Sequence, residues 1–147
     1  MDTTRIIKSL FNVSNAPRYK NRFENKIFVR FGYAYAANSI AIVRIQFPFV
    51  RDKGFDDWES IYYDEQSRMY LFENTIEPST RFDELVRYPK SKGYGFSRFD
   101  PVELARLLRV FSACNVEPMM YIFDNSEMIL EAFKKEISIE AKLMGMR

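Results

Sequence analysis

Residues 26–47, KIFVRFGYAYAANSIAIVRIQF, form the longest run of β-forming residues in the chain and carry their own turn punctuation. Ile27, Val29 and Phe31 alternate with Phe28 and Arg30, Gly32 supplies a bend, and Asn38-Ser39 interrupts the run before Ile40 to Ile45 resume it. The pattern predicts three adjacent antiparallel strands over about 26–31, 33–37 and 40–47. Both alternating faces of the third strand are largely apolar, so at least part of this sheet should be covered by helices or by another chain.

Upstream, residues 3–11 read as a short helix with Asp2, Thr3 or Thr4 as N-cap and Ile6, Ile7, Leu10 and Phe11 as its apolar stripe. Arg5 and Lys8 lie on its opposite side. Residues 12–25 read as a loop holding Pro17 and a basic, aromatic patch with Arg18, Lys20 and Arg22. Downstream, Pro48 ends the third strand and residues 51–57 form an acidic loop. A hairpin follows over 58–63 and 68–72, around residues 64–67, and the first half closes near Pro78.

The second half repeats the order. Residues 82–88 are extended or irregular and residues 89–95 form a Lys/Gly loop. Asp100-Pro101 then opens the clearest helix in the chain, with Asp at the N-cap, Pro at the first helical position and Glu103 completing an analogue of the capping box. Leu104, Leu107, Leu108 and Phe111 recur at helical spacing and should be buried, with Arg106 and Arg109 on the other side. The helix ends by Asn115, and strands follow over 119–123, 128–133 and 137–144. Helix then three strands, twice, is a duplicated α+β unit in one domain over residues 1–147, with halves of about 1–78 and 79–147, visible in element order and not in residue identity.

A chain of 147 residues, 47% hydrophobic and 16% aromatic, suffices for one real core. No apolar run approaches the length of a membrane helix and the first residues lack a signal-peptide pattern, so a cytoplasmic location is expected. Cys114 is the one cysteine and there is no histidine. An internal disulfide, Ser-His-Asp or Cys-His triads and His-based zinc sites are thereby excluded. Net charge is +2, yet residues 1–50 hold eight Lys or Arg against two acids, and residues 51–80 hold three against eight. Such a split fits a basic face toward nucleic acid with an acidic rim, or two differently solvated regions.

Other candidates read plainly. Asp52, Asp56, Asp57 and Glu59 are closely spaced acids in a Gly-containing loop, a solvated surface sooner than a Mg²⁺ site. Cys114, following an apolar helix face, is a small buried hydrophobe. Gly93-Tyr94-Gly95 lacks the strand, Lys and Ser/Thr of a phosphate loop and reads as a turn. Phe28, Phe31, Tyr33, Tyr35 and Phe47 are core and sheet packing before they are a base-stacking platform.

Three stretches in order resemble a known family, the β sliding clamp, processivity factor of bacterial DNA polymerase III. Residues 34–43, AYAANSIAIV, are similar to its strand-turn-strand. Residues 87–89, RYP, followed by residues 99–104, FDPVEL, resemble its Pro-containing loop and following helix, and residues 143–147, LMGMR, resemble its C-terminal tail. The family's Thr-Asp-Gly turn is here Ala37-Asn38-Ser39, and the proline of its tail is Gly145. Clamp chains contain three such domains closed into a ring, whereas this chain has the length of one.

The resemblance implies an α+β, DNA clamp-like fold with two helices on one side of the sheet. It also implies a non-enzymatic binding protein without cofactor, metal or small-molecule substrate. Duplex DNA would be held without sequence preference by Arg5, Lys8, Arg106 and Arg109, extended by Arg18, Lys20 and Arg22. Replication proteins or a second copy would be further partners, met through Leu143, Met144 and Met146 of the tail. The alternative is a protein-interaction module of a phage or mobile element with no affinity for DNA.

Overall fold

Asn38 turns the quoted stretch back on itself, because its carboxamide oxygen accepts the backbone N–H groups of Ile40 and Ala41, both at 2.9 Å. An Asn side chain that bonds its own downstream backbone substitutes for a turn's main-chain bond. The computed structural model describes residues 3–19, 25–30, 32–46, 58–75, 78 and 94–146. Strands β1 (Ile27–Arg30), β2 (Tyr33–Ala37) and β3 (Ala41–Gln46) match the three expected. Gly32, at φ +79°, occupies the left-handed conformation needed where Arg30 pairs with Tyr33. The expected hairpin is β4 (Glu59–Asp64) and β5 (Met69–Asn74), closed by the Ser67 N–H and hydroxyl donating to Asp64.

Helix α1 (Thr3–Ser14) runs three residues beyond the expected end, because Ile6, Leu10 and Val13 keep the helical spacing and all are buried. The expected loop therefore starts at Asn15, and it contains one 3₁₀ turn at Pro17–Tyr19. Helix α2 (Pro101–Ala113) begins as expected: the Asp100 carboxylate accepts from the N–H of Val102 at 2.9 Å and of Glu103 at 3.3 Å. Its end is a Schellman motif, with Asn115 at φ 55°, its N–H donating to Ser112 O, and Val116 N–H donating to Phe111 O. Strands β6 (Met119–Ile122), β7 (Glu127–Lys134) and β8 (Ile137–Met144) complete the chain as a meander.

The eight strands among the described residues join one antiparallel sheet in the order β5-β4-β1-β2-β3-β8-β7-β6. The third strand of each helix-plus-three-strand unit meets the other at its centre, β3 against β8, from Ala41 opposite Leu143 to Gln46 opposite Ser138. The two units are thus related as an approximate two-fold axis would relate them, and β4-β5 is an addition to the first.

Strand parity separates two layers. Ile27, Val29, Ala34, Ala36, Val43, Ile45, Leu130, Ile139 and Leu143 point to one face and pack with Ile6, Leu10 and Val13 of α1 and with Leu107, Val110 and Phe111 of α2. Both helices lie on this face and touch each other. Phe28, Tyr35, Ala37, Ile42 and Trp58 form a second cluster on the opposite face. Both sides of β3 are therefore largely buried, with Arg44 half-buried and Gln46 exposed.

The α2 stripe differs from the one expected. Leu107 and Phe111 are fully buried, but Leu104 and Leu108 are half-buried, and Val110 and Glu103 complete the inner face. Among the described residues no helix is long and apolar enough to cross a membrane. The readings for residues 48–57, 82–88 and 89–93, and for Phe31 and Phe47, lie outside the described residues.

Candidate nucleic-acid interface

The two helices bring four cations and one acid to the same side of the sheet. Helix α1 carries Arg5 and Lys8 with no acid, and α2 carries Arg106, Arg109 and Glu103. Glu103 is only 2% exposed. One of its oxygens accepts from Asn38 Nδ2 at 3.1 Å and the other from Arg106 Nε at 3.1 Å. Asn38 Nδ2 also donates to Val13 O at 3.0 Å, and Arg106 Nη1 to Asn12 O at 3.2 Å. This buried network fastens the β2–β3 turn to the end of α1 and the start of α2. Glu103 therefore does not close a capping box on the Asp100 N–H; its carboxylate is spent on Asn38 and Arg106.

Arg106 is accordingly a correction. The spacing places it on the free side of the helix, but its guanidinium ties α2 to α1 and is absorbed by the fold. Arg5, Lys8 and Arg109 are exposed, and with Glu103 buried neither helix presents an acid to solvent. Arg18 joins this surface from the 3₁₀ turn, its side chain 72% exposed and one nitrogen 3.4 Å from the Asp100 carboxylate at the start of α2. Lys20 and Arg22 lie outside the described residues.

Asp100 also accepts the Tyr19 hydroxyl at 3.0 Å. Burial pushes its carboxyl up, but the Tyr19 hydroxyl, the Glu103 and Val102 N–H groups and the Arg18 charge outweigh burial and hold it below the usual range. A carboxyl depressed in the folded state stabilises above its unfolded value and loses that contribution as pH falls through the folded one. Asp100→Asn should therefore lower the melting temperature at pH 7, and the deficit should vanish as pH falls below about 4. Thermal melts of both proteins across that range check this.

The tail residues separate. Leu143 is 0% exposed and packs in the core, so it is not a contact for partners: it shares its strand parity with Ile139 and Ala141. Met144 and Met146 are exposed. A pocket of about 140 Å³ opens beside Met144 on the sheet face away from the helices, lined by the turn from Ala37 to Ile42 and by Glu127 and Lys142, which pair at 3.3 Å. Gly145 is held by close contacts: its N–H donates to Ser126 O at 2.6 Å, which a proline could not do, and an added Cβ would collide with Ser97 Oγ and Ser126 O.

Tyr94 and Gly95 are not a turn. Tyr94 bridges Phe123 in antiparallel fashion, Gly95 N–H donates to Ile122 O at 3.1 Å, and Arg98 O accepts from Met146 N–H at 2.6 Å. The segment is extended because the β6–β7 turn and the tail hold it, partners that local sequence does not announce.

Of the acids considered for a metal, Asp52, Asp56 and Asp57 lie outside the described residues. Glu59 is buried in β4 opposite Val29. Among the described residues no cluster of three or more His, Cys, Asp or Glu could hold a metal ion. Cys114 is a buried hydrophobe, as expected, and burial pushes its thiol up to about 11. On the opposite sheet face Phe28 and Tyr35 pack on Trp58, with Arg30 stacked 5.2 Å from the Trp58 ring. Those aromatics are packing, as their strand positions imply, with Tyr33 half-buried at the edge of the cluster. Compared with known proteins, the sequence matches no family model and no curated protein.

Proposed function

We propose that this chain is a non-enzymatic, clamp-like binding protein whose two-helix layer rests on duplex DNA. The observation that carries the reading is the one-sided charge of that layer: Arg5, Lys8 and Arg109 exposed, and the single acid of the two helices buried beneath them. The two helices pack against each other, an arrangement suited to lie along phosphates rather than to enter a groove. The duplicated helix-plus-sheet order and the central pairing of β3 with β8 support the clamp-like fold that residues 34–43, 99–104 and 143–147 suggest. Arg18, beside the start of α2, extends the surface.

Contact with phosphates alone is indifferent to sequence and weakened by salt. Titration of unrelated duplexes of equal length should give matching affinities that fall together as salt rises. A strong preference for one duplex would argue against this reading, as would the absence of duplex binding at low salt.

A second reading is favoured by one specific observation, the pocket beside Met144, because in clamps the tail helps to form the pocket for partner peptides. The chain would then be a protein-interaction module, of a phage or mobile element, and nucleic acid would be irrelevant. Stable binding of a replication protein through that pocket, by a protein with no duplex affinity, would favour it. Encircling DNA would further require more than one such domain, supplied by self-association or by another clamp subunit; mass in solution measures the first directly.

A further inference from the structure

We propose that the extended segment at Tyr94, Phe96 and Arg98 is a stacking site for single-stranded nucleic acid, separate from the helix layer. Phe96 is 95% exposed and Tyr94 80% exposed, the two most exposed large hydrophobic side chains among the described residues. They are not on a loose loop. Gly95 and Ser97 face inward: a Cβ on Gly95 would lie 2.7 Å from Asp124 Cα, and the Ser97 side chain abuts Gly145. Main-chain bonds from Gly95 to Ile122 and from Met146 to Arg98 fix both ends. By alternation Tyr94, Phe96 and Arg98 share the outward side.

The spacing and chemistry suit a base. Residues two apart on an extended chain are separated by about 6.6–6.8 Å, about twice the 3.4 Å rise between stacked bases, so the backbone spacing leaves room for one planar base between neighbouring outward side chains. The Tyr94 ring is braced by Phe123, nearly parallel at 17° with centroids 6.4 Å apart. Arg98 is exposed on the same side for a phosphate or a ring face. In sequence, residues 94–99, YGFSRF, hold Arg98 and no acid. A peptide-binding hot spot needs a concave apolar surround. Here the intervening residues are glycine and serine, which give the exposed Phe96 and Tyr94 rings no apolar surround on their own segment. Duplex DNA keeps its base faces covered, so the ligand is a single strand, taken with little sequence preference.

The test is binding of a fluorescein-labelled oligo-dT, and of a duplex of the same length, by fluorescence anisotropy. Tyr94→Ala and Phe96→Ala should each weaken oligo-dT binding about 5- to 150-fold. Phe96→Trp should retain it, duplex binding should be unchanged in all three, and the two Phe96 variants should keep the wild-type melting temperature because that side chain is 95% exposed. Loss of helix-layer cations instead weakens duplex binding, so the two readings fail separately. Equal oligo-dT affinity for wild type and a Tyr94→Ala/Phe96→Ala variant would overturn the proposal. So would no oligo-dT binding by wild type at low salt, or a double variant that alters only self-association.

Discussion

Leu107→Ala should lower stability by about 2–5 kcal/mol, a fall in melting temperature of roughly 5–15 °C for a domain of this size. Leu107 is 0% exposed and lies in the one core that both helices share with the sheet. Truncation leaves a cavity that neither the antiparallel sheet nor the packed pair of helices can collapse to fill, which is why the cost exceeds simple transfer. Leu104→Ala is the control. Leu104 is half-buried at the margin of the same core, so the same truncation should cost distinctly less. Thermal and urea melts of the two variants decide it, and equal losses would mean that the inner face of α2 is misplaced.

Glu103→Ala should cost about 3 kcal/mol, near the lower bound for breaking a buried charged pair by removing one partner. The carboxylate satisfies Asn38 Nδ2 and Arg106 Nε at once. Without it Asn38 keeps Val13 O as an acceptor, and Arg106 keeps Asn12 O with a side chain still 20% exposed. Those residual partners hold the loss near the low end. Glu103→Gln should recover part of it, since an amide oxygen still accepts from Asn38 or Arg106. The cost should appear as a lower urea midpoint, and Arg106→Ala should reproduce part of it. An Arg106→Ala variant with wild-type stability would mean that this arginine is a surface cation after all.

These residues also show how far the sequence could be read. The β1–β3 run was legible because β-branched and aromatic residues alternate there and Gly32 and Asn38 mark both turns. Helix α2 was legible from Asp100-Pro101, since a cap and a first-turn proline act locally. The identity of its inner face was not. Glu103 reads as a capping residue until Asn38, 65 positions earlier, is known to lie against it, and Arg106 reads as free until α1 is placed alongside. Leu143 is a different case. Its alternation with Ile137, Ile139 and Ala141 already marks an inward strand position. The segment at Tyr94 was hidden because the groups that straighten it, Ile122 O and the N–H of Met146, come from later strands and the tail.

For the candidate interface, sequence supplied the cations and structure supplied the discrimination among them. Four basic helix positions look alike at helical spacing. Packing removes Arg106 by giving it two acceptors and leaves Lys8 and Arg109 outward, with Arg5 also exposed, while burial of Glu103 removes the acid that would otherwise offset them.

Lys8 and Arg109 are the pair through which the central claim is tested. In titrations of a random-sequence duplex, each phosphate contact contributes about 0.9 to the slope of log affinity against log salt. The Lys8→Ala/Arg109→Ala variant should therefore show a slope shallower than wild type by about 1.8, with an unchanged melting temperature because both side chains are exposed. Identical slopes for the two proteins would contradict the account.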